Sequence, residues 1–439
     1  MAKNVLNFKL KFSEKEEITP YAGLALYGEM YRAIGLDKEV NRVFPSPGSG
    51  AGFDANTYIN PIVMMFIGGG KYIEDIRKVK ADKGLRRICK MEKVPGGDAI
   101  GDWLRRDGKG KIECMEIINK NLTWRGIKKA RAEGFTLDID AMGIEANKRE
   151  AAYTYKGNKG YMPIMGFLPE IDWCVGYEFR EGNISPRERN YEFTEGIVEF
   201  VKGTGKQIER FRGDSATYQA RLMNYLEKEA IRYTITAEQD VSVKGALREI
   251  KEWEWRKLRD KEGIGTGREY AEIIHSMNET DHAFRIVVER WKNPEMDLFR
   301  KTEEYCYHGI ATNYREEEKD AEGVIWWHNG RGNSENYNKE LKIGLNLDYM
   351  PCGEFEANGV WFGIGILAYN LFIASKMFLF PGSWVKKTIS TVRWQFIQIA
   401  GKVVKRAREL VLKICSTLRE TFEIYREARR KCWELQGIL

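Results

Sequence analysis

The sequence predicts an α/β fold in which an antiparallel set of strands passes into parallel units, and three stretches carry that reading. At 135–142, FTLDIDAM alternates, with Phe135, Leu137 and Ile139 on one side and Thr136, Asp138 and Asp140 on the other, which is the period of a strand with one polar edge. YMPIMGFL (161–168) and DWCVGYEFR (172–180) follow as two more strands, separated by the turns KGNKG and PEID. Next come a helix at 191–203 (YEFTEGIVEFVKG), a strand QIERFRGD, a helix from Ser215 to about Lys228, and a strand IRYTITA. The order is β-β-β-α-β-α-β, an antiparallel meander leading into crossover units.

Composition sets the frame around this core. The chain has 439 residues, 43% hydrophobic and 31% charged, enough for a large core and more than one domain. Its seven cysteines are scattered singly without a C-x-x-C pair, which argues against structural zinc or a disulfide framework and for a reducing compartment. Four dispersed histidines do not make an H-E-x-x-H site, so any metal has to be held by carboxylates. The N-terminal MAKNVLNFKLKFSEKEE lacks an apolar h-region, so no secretory signal is read and a cytoplasmic location is expected. GVWFGIGILAYNLFIA (359–374) is about 16 residues long, short of the roughly 20 a spanning helix needs, and contains Asn370. It reads as a buried core helix, and no membrane partner is expected.

Along the chain, 1–130 is a helical segment. Within it PGGDAIGDWLRRDG offers Asp98 as an N-cap for a short helix carrying Arg105 and Arg106, compatible with DNA contact and equally with plain helical packing. The α/β core begins at 131–240. Residues 241–326 break its rhythm with YAEIIHSM, HAFRIVVERW and EEYCYHGIATN, strands between polar turns, and read as a β-rich insertion. Trp253, Trp255 and Trp291 within it suit either a core or nucleobase platforms. Residues 327–382 return to helix, and 383–439 form a basic helical end. That end holds 13 Lys/Arg against 5 Asp/Glu, a balance of +8 within a whole-chain +7, so the remainder is near −1. Lys405 and Arg406 lie in this block, which suits a phosphate-backbone surface.

Three acids stand out. Asp140 ends the first strand, with Asp138 as its rival on the same face. Asp214 ends a later strand just before a helix, the place of a site residue in open α/β sheets and also that of an N-cap. Glu335 lies in HNGRGNSENYNKELK (328–342). On a continuous helix of about 100° per residue, His328, Arg331, Glu335 and Lys342 share one narrow face. Such a face is either an i,i+4 charge array or a site. Carboxylates without a histidine or cysteine partner suit two-metal phosphoryl transfer, since Mg²⁺ takes oxygen ligands and two ions stabilise both the attacking and the leaving oxygen.

Arg331-x3-Glu335-x6-Lys342 resembles the Y-x2-R-x3-E-x6-K signature of bacterial insertion-sequence DDE transposases, with His328 where tyrosine usually stands. LDIDAMGIEANKREAAYTYKGNKGYMPIMGFL and RFRGDSATYQ look like the first- and second-aspartate regions of one branch. GGGKYIEDIRKVKAD and LAYNLF look like that branch too, so the resemblance covers most of the chain. It implies an RNase H-like mixed-sheet core interrupted by the β-rich insertion, with helical N- and C-terminal segments. It further implies Asp140, Asp214 and Glu335 as a triad holding two Mg²⁺ ions, with Mn²⁺ as a substitute. Arg331 and Lys342 would contact phosphates near the cleaved end, and His328 could donate to one without the reach of a phenol. Met142 stands where many relatives carry threonine. The implied activity is cleavage of element ends and transfer of their 3′-OH to target DNA, by a nucleoid-associated protein that is a homodimer on double-stranded DNA. The alternatives are a metal-dependent nuclease without strand transfer and an inactive DNA-binding relic.

Overall fold

The computed structural model describes residues 16–48, 50, 52–260, 262–294, 304–407, 409–415 and 419–436. A short strand β1 (Ile18–Thr19) precedes helices α1 (Leu24–Ala33), α2 (Leu36–Val43), α3 (Ala55–Gly68), α4 (Ile76–Ala81), α5 (Lys83–Ile88), α6 (Gly97–Arg105) and α7 (Gly108–Lys129). Local chemistry sets these boundaries. Asp54 N-caps α3 by accepting from the Thr57 amide, Asp82 does the same for α5 at Leu85, and Gly69 ends α3 in the left-handed region. Helix α6 starts at Gly97, so Asp98 lies in its first turn and is not its cap.

The chain divides into two compact units, Leu104–Ile343 with Leu347–Ile373, and Met1–Trp103 with Gly344–Asn346 and Ala374–Leu439. The first of these holds the sheet. Strands β2 (Gly134–Ala141), β3 (Ile144–Glu145), β4 (Ala152–Tyr153), β5 (Lys159–Tyr161), β6 (Ile164–Leu168) and β7 (Trp173–Glu178) are followed by α8 (Asn190–Gly203), β8 (Gln207–Gly213), α9 (Ala220–Lys228) and β9 (Arg232–Thr236). In the sheet the neighbours run β7, β6, β2, β8, β9, with β6 antiparallel to β2 and β7, and β8 parallel to β2 and β9. Three antiparallel strands followed by two parallel ones, with the first strand central, is the RNase H-like order.

The stretch after β9 contributes α10 (Val241–Glu249), β10 (Arg256–Arg259), β11 (Gly265–His275), β12 (Phe284–Lys292) and β13 (Tyr305–Thr312). These four strands continue the same sheet, because β13 pairs antiparallel with β9. Helix α11 (Ala321–Asn329) packs Val324 and Ile325 against Leu258, Val287 and Ile310, so the added strands share a core with it. None of the three tryptophans there is a core residue. Trp255 lies under the Arg290 guanidinium at 4.1 Å, Trp291 under Arg268 at 4.7 Å, and Trp253 is exposed.

Strand β2 departs from the reading of a strand with one polar edge, because both its faces are buried. Phe135, Leu137 and Ile139 fill one face; on the other, Thr136 and Asp138 meet Arg210 and Arg212 of β8 in register. A polar face can be buried only when its groups find partners, and β8 supplies them.

Helices α12 (Gly332–Lys339) and α13 (Phe355–Phe378) follow. Among the described residues α13 alone is long and apolar enough to cross a membrane, and its apolar window is entirely buried. Asn370 explains the polar residue in that run. Its side chain accepts from the Cys174 amide at 3.1 Å and donates to the Cys174 carbonyl at 3.0 Å, completing the outer edge of β7 as a neighbouring strand would.

In the other unit, the reading of 383–439 as helical needs a correction. After α14 (Ile389–Val392) and the π-helical turn Arg393–Ile397 that continues it, β14 (Ala400–Arg406) and β15 (Glu409–Cys415) form a hairpin, and α15 (Arg419–Glu434) restores the helix. Val403, Val404, Leu410 and Val411 recur at a seven-residue interval that also suits a helix. As strands they pair Val404 with Val411, and β1 gives β14 a partner on its other side at Lys402 and Gly401. Arg393 donates to the carbonyls of Ile67 and Phe66 at 2.7 and 2.6 Å, satisfying acceptors that the end of α3 leaves open.

Candidate active site

Asp138 and Arg212 form the floor of the site. The Arg212 guanidinium donates through Nε and Nη2 to the two oxygens of Asp138, each at 2.7 Å, with both side chains buried. Its Nη1 donates to the Trp327 carbonyl at 3.1 Å, and the guanidinium lies 5.0 Å from the Trp327 ring, tying α11 to the sheet. A fork-to-fork pair engages both Asp138 oxygens and Asp138 is fully buried, which leaves Asp140 the more accessible carboxylate of the two.

Two residues further along β2, Asp140 keeps only 16% of its side chain exposed. Asn338 Nδ2 donates to its Oδ2 at 2.7 Å, and Arg331 Nη1 stands 3.9 Å from Oδ1. Burial lifts the Asp140 carboxyl from 3.8 to about 6; Arg331 pulls it down, and the Asp214 charge pushes it up. Asp214 follows β8, the parallel neighbour of β2. It is an N-cap, as its position suggested. Its Oδ1 accepts from the Ala216 amide at 3.0 Å, capping the turn Ser215–Thr217, while its charge is felt at Asp140.

The stretch 328–342 is not one helix. Helix α11 ends at Asn329, α12 begins at Gly332, and Glu340–Gly344 form a π-helical turn. Gly330 and Arg331 keep right-handed helical angles through the break, and Gly330 is closely packed there: a Cβ on it would stand 2.6 Å from Arg212 Nη1 and 3.0 Å from the Trp327 carbonyl. The shared face computed for a continuous helix therefore does not hold, and His328 separates from the rest. His328 is 3% exposed, with Nδ1 3.1 Å from Thr234 Oγ1 and Nε2 3.0 Å from Thr236 Oγ1. Burial pushes it down to about 3, with further lowering by His308, Arg331 and Arg212, so the ring is neutral. A buried neutral imidazole with both nitrogens engaged is a packing element of the sheet, and the expected phosphate contact at His328 is corrected accordingly. Met142 is likewise buried.

Glu335 is exposed on α12, three residues before Asn338 and so on the same helix face. Among the described residues no group of three acids, histidines or cysteines is gathered as a metal cluster. The structure thus brings Asp140 and Asp214 together, and the side chain that α12 extends to Asp140 is Asn338. Sequence reasoning missed Asn338; its one signal was the i+3 spacing from Glu335. Lys342 is half-buried, and burial lowers its ammonium; Lys156 lowers it further, while Asp348, Glu145 and Asp140 raise it. Arg105, Arg106, Lys405 and Arg406 are exposed, none of them among the groups acting on Asp140. A cavity of about 360 Å³ at β7, lined by Glu116, Asn119, Tyr177 and Phe193 among others, contains none of these residues.

The order of the central strands, with acids at the ends of two parallel neighbours, is that of the RNase H-like fold class. The chain belongs to the family described as Transposase DDE domain group 1, which matches residues 7–431. It is a transposase by family. No curated protein matches it. Among solved structures it is similar to a piggyBac transposase synaptic complex with hairpin DNA, at 10% identity and a TM-score of 0.44, covering 80% of this chain and 74% of that one.

Proposed function

We propose that this transposase binds the terminal inverted repeats of its own element, cleaves a phosphodiester at each end to free a 3′-OH, and joins that hydroxyl to target DNA. The observation that supports this beyond family membership is the pairing of Asp140 with Asp214. Two carboxylates in one partly buried place, one of them raised to about 6 by burial and by its neighbour, are held at a cost that a bound cation would offset.

The donor set suits Mg²⁺, or Mn²⁺ in its place, because every candidate is a carboxylate oxygen: Asp140, Asp214 and, from α12, Glu335. Bound there, two such ions would supply Lewis acidity to the attacking and leaving oxygens of an in-line displacement. The protein's own groups do the rest. Asn338 orients Asp140 through one oxygen. Arg331, already 3.9 Å from Asp140, and Lys342 present cations to the scissile phosphate and to the strand beside it. The Arg212–Asp138 pair fixes β2, β8 and α11 beneath them. Arg105, Arg106, Lys405 and Arg406 would add backbone contacts whose affinity falls steeply with salt. Holding two element ends calls for a homodimer in the DNA complex.

One observation favours a DNA-binding relic: Glu335 stands exposed, outside the assembled pair. Cleavage of a labelled end from the DNA flanking this gene separates the readings. Asp140→Asn and Asp214→Asn are expected to abolish Mg²⁺-dependent nicking while retaining DNA binding. Nicking that survives in both variants would remove these residues from the chemistry, and a wild type that binds without nicking in Mg²⁺ or Mn²⁺ would establish the relic.

A further inference from the structure

Between β2 and β6 the chain makes a small projection that the catalytic reading leaves unused. Strands β3, β4 and β5 form a separate three-stranded sheet in the order β3, β5, β4, emerging just after Asp140 and returning at β6, whose Met165 pairs with Asp140. Its tip is well built. Thr154 N donates to the Asn158 carbonyl at 2.8 Å, Gly157 N to the Thr154 carbonyl at 2.9 Å, and Lys156 N to Thr154 Oγ1 at 3.2 Å. Gly157 takes φ +82°, which a side chain would strain. Asn158 also bonds Thr154 Oγ1 and Glu145.

This ordered tip spends its outward face on aromatic rings. Tyr153 is 66% and Tyr155 69% exposed. The ammonium of Lys159 lies 5.6 Å from the Tyr153 ring centre, and that of Lys156 5.6 Å from the Tyr155 ring centre. A third such pair, Lys148 with Tyr349 at 5.5 Å, belongs to the same unit. Lys156 and Asp140 both act on the Lys342 ammonium, the first lowering it and the second raising it, and the projection leaves and rejoins the sheet beside Asp140. Two acids lie in the same segment, Glu145, engaged by Asn158, and Glu150, paired with Arg149 at 3.1 Å. Exposed tyrosines interleaved with lysines at a polyanion-processing site match one chemistry: unstacked nucleobases resting on rings while ammonium groups hold the connecting phosphates.

We infer that the Tyr153–Lys159 hairpin is a binding platform for single-stranded DNA at the cleaved end, with Tyr153 and Tyr155 stacking on unpaired bases and Lys156 and Lys159 neutralising their phosphates. This rests on the transposase reading of Asp140, but its test does not depend on cleavage.

The probe is a short duplex with a single-stranded arm carrying 2-aminopurine, titrated with full-length protein in EDTA so that no cleavage occurs. Wild type should quench the 2-aminopurine and bind the armed duplex more tightly than the blunt one. Tyr153→Ala with Tyr155→Ala should lose the quenching and weaken armed-duplex binding at least about fivefold, leaving blunt-duplex binding unchanged. Tyr153→Phe with Tyr155→Phe should restore both, since the ring and not the hydroxyl does the stacking. Equal quenching by wild type and the alanine variant, or an equal loss on blunt and armed DNA, would overturn the inference. A cleavage-dead result for Asp140→Asn with intact quenching would leave the platform standing, whereas intact cleavage in that variant would strike only at the site.

Discussion

Replacing Asp140 by asparagine should stabilise the metal-free protein while destroying its activity, and the size of the effect follows from the site. The folded carboxyl is raised from 3.8 to about 6, chiefly by burial. An acid whose folded pKa is raised binds more protons folded than unfolded between those values, so its contribution to stability falls as pH climbs from about 4 to 6 and stays at its full cost above that. The rise corresponds to about 3 kcal/mol at pH 7.5, a ceiling because the carboxylate is not wholly buried. Near pH 4 the cost shrinks to well under 1 kcal/mol. Asparagine keeps an oxygen for the Asn338 amide and carries no charge. Asp140→Asn is therefore expected to melt up to roughly 3–5 °C above wild type at pH 7.5 in EDTA, and within about a degree of it near pH 4. His328 has the opposite linkage: its folded pKa is depressed, so its contribution is lost as pH falls below about 6.5. It is present in both proteins and cancels in the difference. Scanning calorimetry of both proteins at the two pH values is the assay. A variant melting with or below wild type at pH 7.5, or one shifted equally at both pH values, would refute the assignment of a strained carboxylate.

Other substitutions test the frame. Arg212→Ala leaves Asp138 buried without its partner and should cost about 3–5 kcal/mol in urea denaturation, whereas the paired change Asp138→Leu with Arg212→Met should recover most of that loss. Asn370→Leu strips the Cys174 amide and carbonyl of their partners and should cost at least about 2 kcal/mol by the same measurement; a neutral result would mean that water serves this edge. The ring protons of His328 should show no titration by NMR between pH 5 and 8, and a midpoint near 6.5 would place the ring in solvent. Lys342→Met should lower the magnitude of the log–log salt slope of DNA binding by about 1 if Lys342 meets a phosphate, and leave it unchanged if it does not.

The central sheet was legible because its signals are local and redundant. FTLDIDAM, YMPIMGFL and DWCVGYEFR alternate or run apolar at strand length between turn residues, and β8 and β9 each follow a well-patterned helix. What could not be read depends on contacts distant in sequence. The polar face of β2 looked like a wet edge because Arg210 and Arg212, which bury it, arrive more than seventy residues later. Gly330 gave no sign of the close packing it serves, because Arg212, which fills the space where its Cβ would stand, lies more than a hundred positions earlier. The hairpin at 400–415 turns at Ala407 with φ 51°, where a glycine or asparagine would have announced it, and its β1 partner lies near the other end of the chain. In the candidate site, Asp140 and Asp214 were legible from their places at strand ends. Asn338 was not, because its i+3 spacing from Glu335 is shared by any residue of that helix face and does not distinguish an asparagine bonded to a carboxylate from one that faces solvent.

Whether Glu335 completes the chemistry proposed for Asp140 and Asp214 is read out by strand transfer. A labelled element end with a free 3′-OH is incubated with target DNA and Mg²⁺, and joined products are resolved for wild type and for Glu335→Gln. The account predicts joined products with wild type and none with the variant, at equal DNA binding. Joining by Glu335→Gln at the wild-type rate would contradict it, and would leave Glu335 an ordinary solvent-facing acid of α12.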